Sequence, residues 1–209
     1  LINKETTMPS VYIFQHGSKD LFKIGRTRGN VEKRRKALST GNPVELRVFD
    51  VIETQHDNVV EKYLHQRLVL SHSKESDATE FFAISADKLK KCLQETRDFM
   101  TDYLPLLEQT EQLKEIAPVE NFKEPDDNIK KIHSELLEIR QKINMLKFEE
   151  EVLENRIKQF IGKNSGIEGI ASWSIRTASR LDQNSLKEKY PEIFEDCKVE
   201  VSNRTFKLL

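Results

Sequence analysis

The sequence predicts an α+β protein in which a small mixed or antiparallel sheet flanked by helices is followed by a coiled-coil helix and a small α/β C-terminal module. Three observations predict it. Short β-branched and aromatic runs alternate with helical periodicity up to residue 104, in the order β-β-α-β-α-β-α. Apolar residues then recur at 3-4 spacing from 129 to 160. The last forty or so residues return to brief strand and helix patterns. The corresponding divisions are a domain over 10–104, an acidic connector over 105–128, a coiled-coil helix over 129–161 and a C-terminal module over 165–209.

VYIFQ (11–15) and LFKIG (21–25) are β-prone runs separated by HGSKD, whose Gly17 and Asp20 suit a turn, so they read as a hairpin. Asn30 supplies an N-cap for a helix over 31–39, which the Gly41-Asn42-Pro43 turn ends. A third strand occupies 45–52, where Leu46 and Val48 alternate but Phe49 and Val51 do so less cleanly. Asp57 can cap a second helix whose core stripe is Val60, Leu64 and Leu68. EFFAI (80–84) reads as an edge strand. From Ser85 a longer amphipathic helix carries Leu89, Leu93, Phe99 or Met100, and Leu104 as far as Pro105.

Pro118 and Pro125 punctuate the connector. The seam of Ile129, Ile132, Leu136, Ile139, Ile143, Leu146, Leu153, Ile157 and Phe160 covers about four and a half heptads, about 48 Å of helix, and is broken once where Glu150 takes a seam position. The glycine-bounded stretch 162–169 stops it. A strand through Trp173 and Ile175, a helix over about 183–197 and a closing strand over 205–208 follow.

Composition narrows the function classes. The chain has 209 residues, 37% hydrophobic and 33% charged, with no apolar run near the roughly 20 residues a membrane span needs. No signal peptide is visible, and Cys92 and Cys197 lie far apart without CxxC spacing. A cytoplasmic setting, in a bacterial host or a virus-infected cell, is the expectation, with no disulfide framework, zinc cluster or membrane partner. Residues 1–7, ahead of Met8, read as an upstream extension or an expression remnant.

The formal net charge of −1 conceals a strong asymmetry. Residues 8–47 hold nine Lys and Arg against three acids, whereas 108–160 hold nine against thirteen. Seven of the basic residues fall in FKIGRTRGNVEKRRK (22–36), beside a single acid. A basic N-terminal face of this kind is what a phosphate-binding surface requires, so DNA is the expected partner, with RNA open.

Five short motifs follow in order: VYI in the first strand, KIGRT in the second and VEKR at the start of the first helix, all within the basic stretch 8–47, and then EKYLH (61–65) and EFF (80–82). Together they resemble the GIY-YIG nuclease superfamily, most closely its virus- and phage-associated branch with a KIGRT signature, over about residues 10–100. The resemblance implies a Mg2+-dependent phosphodiesterase, with Mn2+ able to substitute. It places Tyr12 at the tyrosine that helps activate water, Lys23 where the wider superfamily has its second tyrosine, Arg34 at the helix arginine that neutralises phosphate, and Glu61 at the metal-holding glutamate. His65 follows one turn later.

The residue chemistry fits these roles. Phosphodiester hydrolysis needs an oriented water, a cation for charge on the phosphate and stabilisation of the leaving oxygen. Tyr12, Arg34 and a metal on Glu61 can supply all three, and one carboxylate with waters is a sufficient magnesium site. Glu61 and His65 share a helix face at i and i+4. Gly25 allows close backbone approach to substrate, with Arg26 beside it. Arg28, Lys33, Arg35 and Lys36 are the candidate phosphate contacts. Lys23 cannot act as a tyrosine does; it can hold phosphate or, if desolvated, lose its proton.

Without the motif set Tyr12 reads as a strand core residue, and Glu61 with His65 equally as a surface pair. Glu80 either lies near the site or ends its strand. His16, His56, His72 and His133 carry no spacing signal and read as solvated.

The C-terminal segment is similar to the tail of YqaJ-type phage recombination exonucleases, with its tryptophan strand, LD followed by a lysine-bearing helix, and closing R-x-F-x-L strand. This implies an accessory module for nucleic acid or assembly, with Arg176, Arg180 and Arg204 as its basic candidates and Trp173 expected to be buried rather than stacked on a base. The leading expectation is a metal-dependent DNA endonuclease or nickase that the coiled coil makes a homodimer. A DNA-binding protein on an inactive nuclease scaffold and a coiled-coil assembly factor are the alternatives.

Overall fold

The computed structural model describes residues 8–40, 44–73, 80–119, 121–199 and 204–208. Residues 1–7 and the Gly41-Asn42-Pro43 turn lie outside them. The chain forms two units, Leu1–Ala117 and Pro118–Leu209.

The first unit follows the order read from the sequence: β1 (Ser10–His16), β2 (Leu21–Thr27), α1 (Val31–Ser39), β3 (Leu46–Glu53), α2 (Asp57–Arg67), β4 (Phe81–Ala83) and α3 (Ala86–Lys114), with a short 3-10 turn at Val69–Ser71. The strands make one four-stranded antiparallel sheet, ordered β3-β1-β2-β4. β4 is an edge, as its three-residue length suits. Gly17 turns the β1–β2 hairpin with a φ of 65°.

Alternation along β1 divides the core in two. Val11 and Ile13 join Phe22, Ile24, Val60, Leu64, Leu89 and Leu93 in the larger cluster, under α2 and α3. Tyr12 and Phe14 face the other way and pack with Leu46, Val31 and Leu38 under α1. The uneven alternation of the third strand has a physical cause. Ile13 pairs with Asp50 but Phe14 with Val48, so Phe49 is the extra residue of a bulge, and its ring packs on Phe22 at 4.8 Å.

Asn30 caps α1 by accepting from Lys33 N–H at 3.0 Å. Asp57 does not cap α2; it is the first helical residue, after His56. α3 does not stop at Pro105 but continues to Lys114. Proline removes one helical hydrogen bond, and Thr101, whose carbonyl loses its donor, is exposed, where water can take the donor's place. The connector is shorter by the same amount.

The second unit is led by α4 (Asp127–Ile161), capped by the Asp126 side chain and ended at Gly162 with a φ of 59°. Among its residues only Ile161 is buried. A two-stranded ribbon, β5 (Gly166–Ile167) with β6 (Ala171–Ser172), and the helices α5 (Gln183–Lys189) and α6 (Pro191–Asp196) follow. The expected single helix over 183–197 is two, because Pro191 cannot donate to the first turn and holds Tyr190 out of the helical region, at φ −138° and ψ 61°. No strand runs through Trp173 and Ile175, or through the described residues 204–208. Trp173 is about half exposed and Ile175 almost fully, so the expected burial of Trp173 is not met.

Candidate active site

The site is built on the α1 side of the β1–β2 hairpin. The Tyr12 and Phe14 rings stack at 4.2 Å, nearly parallel, and the tyrosine is 1% exposed. Its hydroxyl reaches across the ladder to its cross-strand partner, Gly25. A Cβ on Gly25 would stand 2.5 Å from the hydroxyl and 2.8 Å from Cζ, so only glycine leaves that position open. Arg34, one turn into α1, brings its guanidinium within hydrogen-bonding reach of the same hydroxyl. Burial is the largest influence on the phenol and pushes its pKa above the ordinary value. The bond and charge of Arg34 pull it back, and the charges of Glu80 and Glu61 push it up again.

Lys23, opposite Phe14 in the ladder, is 8% exposed. Its ammonium forms an ion pair with Glu80 and lies 4.9 Å from the centre of the Phe81 ring. Glu80 also accepts from Ile24 N–H through its carbonyl, at 3.0 Å, so it both borders the site and leads into β4. Lys23 is thus committed to a carboxylate.

Glu61 stands on α2 with its side chain 18% exposed, and Arg26 Nε lies 3.0 Å from Oε2. The same guanidinium reaches Asp57 Oδ2 through Nη1 at 3.4 Å. Asp57 is 4% exposed. Two acids at i and i+4 therefore share one arginine, and the buried one anchors it. Sequence reasoning passed over Asp57 as a site residue, although the D-x-x-x-E spacing on one helix face was there to be read.

His65 serves β2: its Nε2 donates to the Ile24 carbonyl at 3.2 Å, which fixes the proton on Nε2, and its ring meets Phe82 edge-on. Two of the other histidines are less solvated than expected: His56 pairs with Glu108 at 2.8 Å, and His16 is half-buried against Phe81, whereas His72 is exposed with its ring edge-on to Phe82.

Arg28, Lys33, Arg34 and Lys36 are exposed around the start of α1. Arg35 is not a surface base of the same kind. Its Nη1 donates to the Leu46 carbonyl and its Nε to Glu32, both at 2.9 Å, which braces α1 on β3. On this face a groove of about 530 Å3 runs between Ser10, Asn30, Val31, Val48 and Val51. Arg176, Arg180 and Arg204 belong to the second unit, where they are exposed.

Among the described residues no group of three or more His, Cys, Asp or Glu could hold a metal ion. Glu61, paired with Arg26 through Oε2, could serve a hydrated Mg2+, which takes one or two carboxylates and keeps its waters, but not a dedicated all-protein cage. None of the described helices is long and apolar enough to cross a membrane.

No curated protein and no solved structure matches the chain. Residues 10–97 match the family model described as the T5orf172 domain, a phage-associated domain of the nuclease-like group, and Tyr12, Lys23, Gly25, Arg34, Glu61 and Glu80 all lie inside that stretch.

Proposed function

We propose that residues 10–97 are a Mg2+-dependent DNA endonuclease or nickase of GIY-YIG type. The observation that carries this reading is the Tyr12 hydroxyl, seated over Gly25, within hydrogen-bonding reach of Arg34 and within electrostatic reach of Glu61 and Glu80. The neutral phenol that burial favours can orient a water by its oxygen, and only the phenolate form, which the Arg34 cation favours, can accept the proton as that water attacks phosphorus. Arg34 offsets the charge on the phenolate and meets the non-bridging phosphate oxygens. Arg28, Lys33 and Lys36 hold the flanking strand by its phosphates. Mg2+, held by Glu61, would supply charge stabilisation to the leaving oxygen. Arg26 and Asp57 keep the Glu61 carboxylate oriented.

A homodimer through the α4 seam belongs to the same reading, supported by the exposure of Ile139, Leu146 and Leu153. So does an accessory role for the C-terminal module, supported by its resemblance to YqaJ-type tails and by exposed Arg176 and Arg180.

A second reading, a DNA-binding protein on an inactive scaffold, is favoured by one observation: Lys23, standing where the superfamily has a tyrosine, is tied to Glu80. Supercoiled plasmid with and without Mg2+ separates the two. Magnesium-dependent nicking that Glu61→Gln abolishes while DNA binding persists supports the nuclease. A mobility shift with no cutting under either condition leaves the binding protein.

A further inference from the structure

We propose that α4 pairs with α4 of a second copy in the antiparallel sense. This rests on the homodimer proposed above but not on any cleavage activity. The face concerned is apolar and open: Ile139 is 52% exposed, Leu146 60% and Leu153 58%, all on a helix that buries only Ile161. The other long helix, α3, commits Leu89, Leu93 and Met100 to the sheet, and its remaining stretch over 101–114, where Leu106 and Leu113 are exposed, has fewer than half the residues of the seam. A second α4 is the one cover that matches the seam in length.

Both orientations satisfy the 3-4 spacing, so charge has to choose between them. In a parallel, in-register pair each residue faces its own copy. Glu150 would then meet the partner's Glu150 within one seam layer, two carboxylates desolvated against each other. Glu149, Glu151 and Glu154 would likewise lie level with their copies, four acids on four, and Arg140, Lys142 and Lys147 would repeat the conflict with positive sign.

Reversing one helix removes the Glu150 conflict inside the seam. With Ile129 level with the partner's Phe160, every seam position meets another seam position: Leu136 the partner's Leu153, and Ile143 the partner's Leu146. No residue is left overhanging. Glu150 now lies over the partner's Ile139, and the two Glu150 side chains are about 16 Å apart along the axis. On the flanks Arg140 comes level with the partner's Glu149, whereas Glu135 lies level with the partner's Glu154, Glu138 with the partner's Glu151 and Lys142 with the partner's Lys147, so the choice of orientation rests on the seam layer of Glu150.

Orientation decides where the N-terminal units attach. Residues 8–119 join α4 at its N-terminal end, and in an antiparallel pair those ends stand about 50 Å apart. The antiparallel sense therefore attaches the two N-terminal units at opposite ends of the paired helices.

The test uses the full chain with Cys92→Ala and Cys197→Ser, spin-labelled at Lys131→Cys or at Met145→Cys, after light scattering has given the mass. The antiparallel pair predicts a mass near twice 24.4 kDa. It also predicts a label separation of about 40 Å or more at 131 and about 20 Å at 145. Short separations at both positions mean a parallel pair and overturn the proposal, as does a concentration-independent monomer. Absence of nicking leaves these readings untouched, so failure of the nuclease assignment and failure of the pairing are seen separately.

Discussion

The hydroxyl of Tyr12 fills the space that a side chain on Gly25 would need, 2.5 Å from where the Cβ would stand. The glycine is therefore part of the tyrosine's seat, and the two cannot vary independently. Gly25→Ala is expected to displace the phenol from Arg34 and to lower nicking at least tenfold. Overpacking should also cost about 1–3 kcal/mol of stability. Tyr12→Phe keeps the ring and its stack on Phe14, so it should lose the activity with a much smaller change in melting temperature. Equal nicking by wild type and Gly25→Ala would show that the hydroxyl is not used.

Arg34 and Arg35 are neighbours with different fates. Arg34→Ala removes the cation at the phenol and should lower the cleavage rate by about a hundredfold, with little effect on folding. Arg35→Ala takes away the bond to the Leu46 carbonyl, and about 1–2 kcal/mol of stability should go with it. Its effect on the rate should be small. Chemical denaturation beside single-turnover nicking distinguishes the two, and the reverse assignment of effects would overturn the site as described.

Arg26 links Asp57 to Glu61, and the buried member of the trio should dominate the energetics. Arg26→Ala leaves Asp57 buried with its cation gone. Discounted for the partial exposure of the arginine, the expected loss is about 1–2 kcal/mol. Adding Asp57→Asn to it should recover much of that loss. Recovery by Glu61→Gln but not by Asp57→Asn would mean that the outer carboxylate, not the buried one, anchors the arginine.

The pH dependence has a definite sign. Burial raises the Tyr12 pKa in the folded state, so the protonated phenol is the form the fold favours. That contribution to stability is full below the ordinary tyrosine value near 10 and is lost as pH rises through the higher folded value. A phenolate absorbance titration of wild type minus Tyr12→Phe should therefore show one tyrosine titrating above the ordinary value, moved further up by Arg34→Ala. A difference titration at or below 10 would contradict the burial account.

What the sequence alone determined is local in origin. The β-β-α-β-α-β-α order, the Asn30 cap and the 3-4 seam of α4 each depend on residues within a turn or a pleat of one another. Propensity and period therefore suffice to read them. Tyr12, Arg34 and Glu61 were legible as candidates because short motifs carry them in order.

What only the tertiary structure decided is which charge meets which. Lys23 is 57 residues from Glu80, Arg26 is 31 from Asp57, and Arg35 takes the Leu46 carbonyl across 11. Seven bases in fifteen residues are interchangeable in composition. The β1–β2 register and the packing of α1 and α2 separate a site arginine from a structural one, since a slip of one residue would turn each side chain to the opposite face. The seat of Tyr12 over Gly25 has the same origin, for it exists only when the two strands pair in that register.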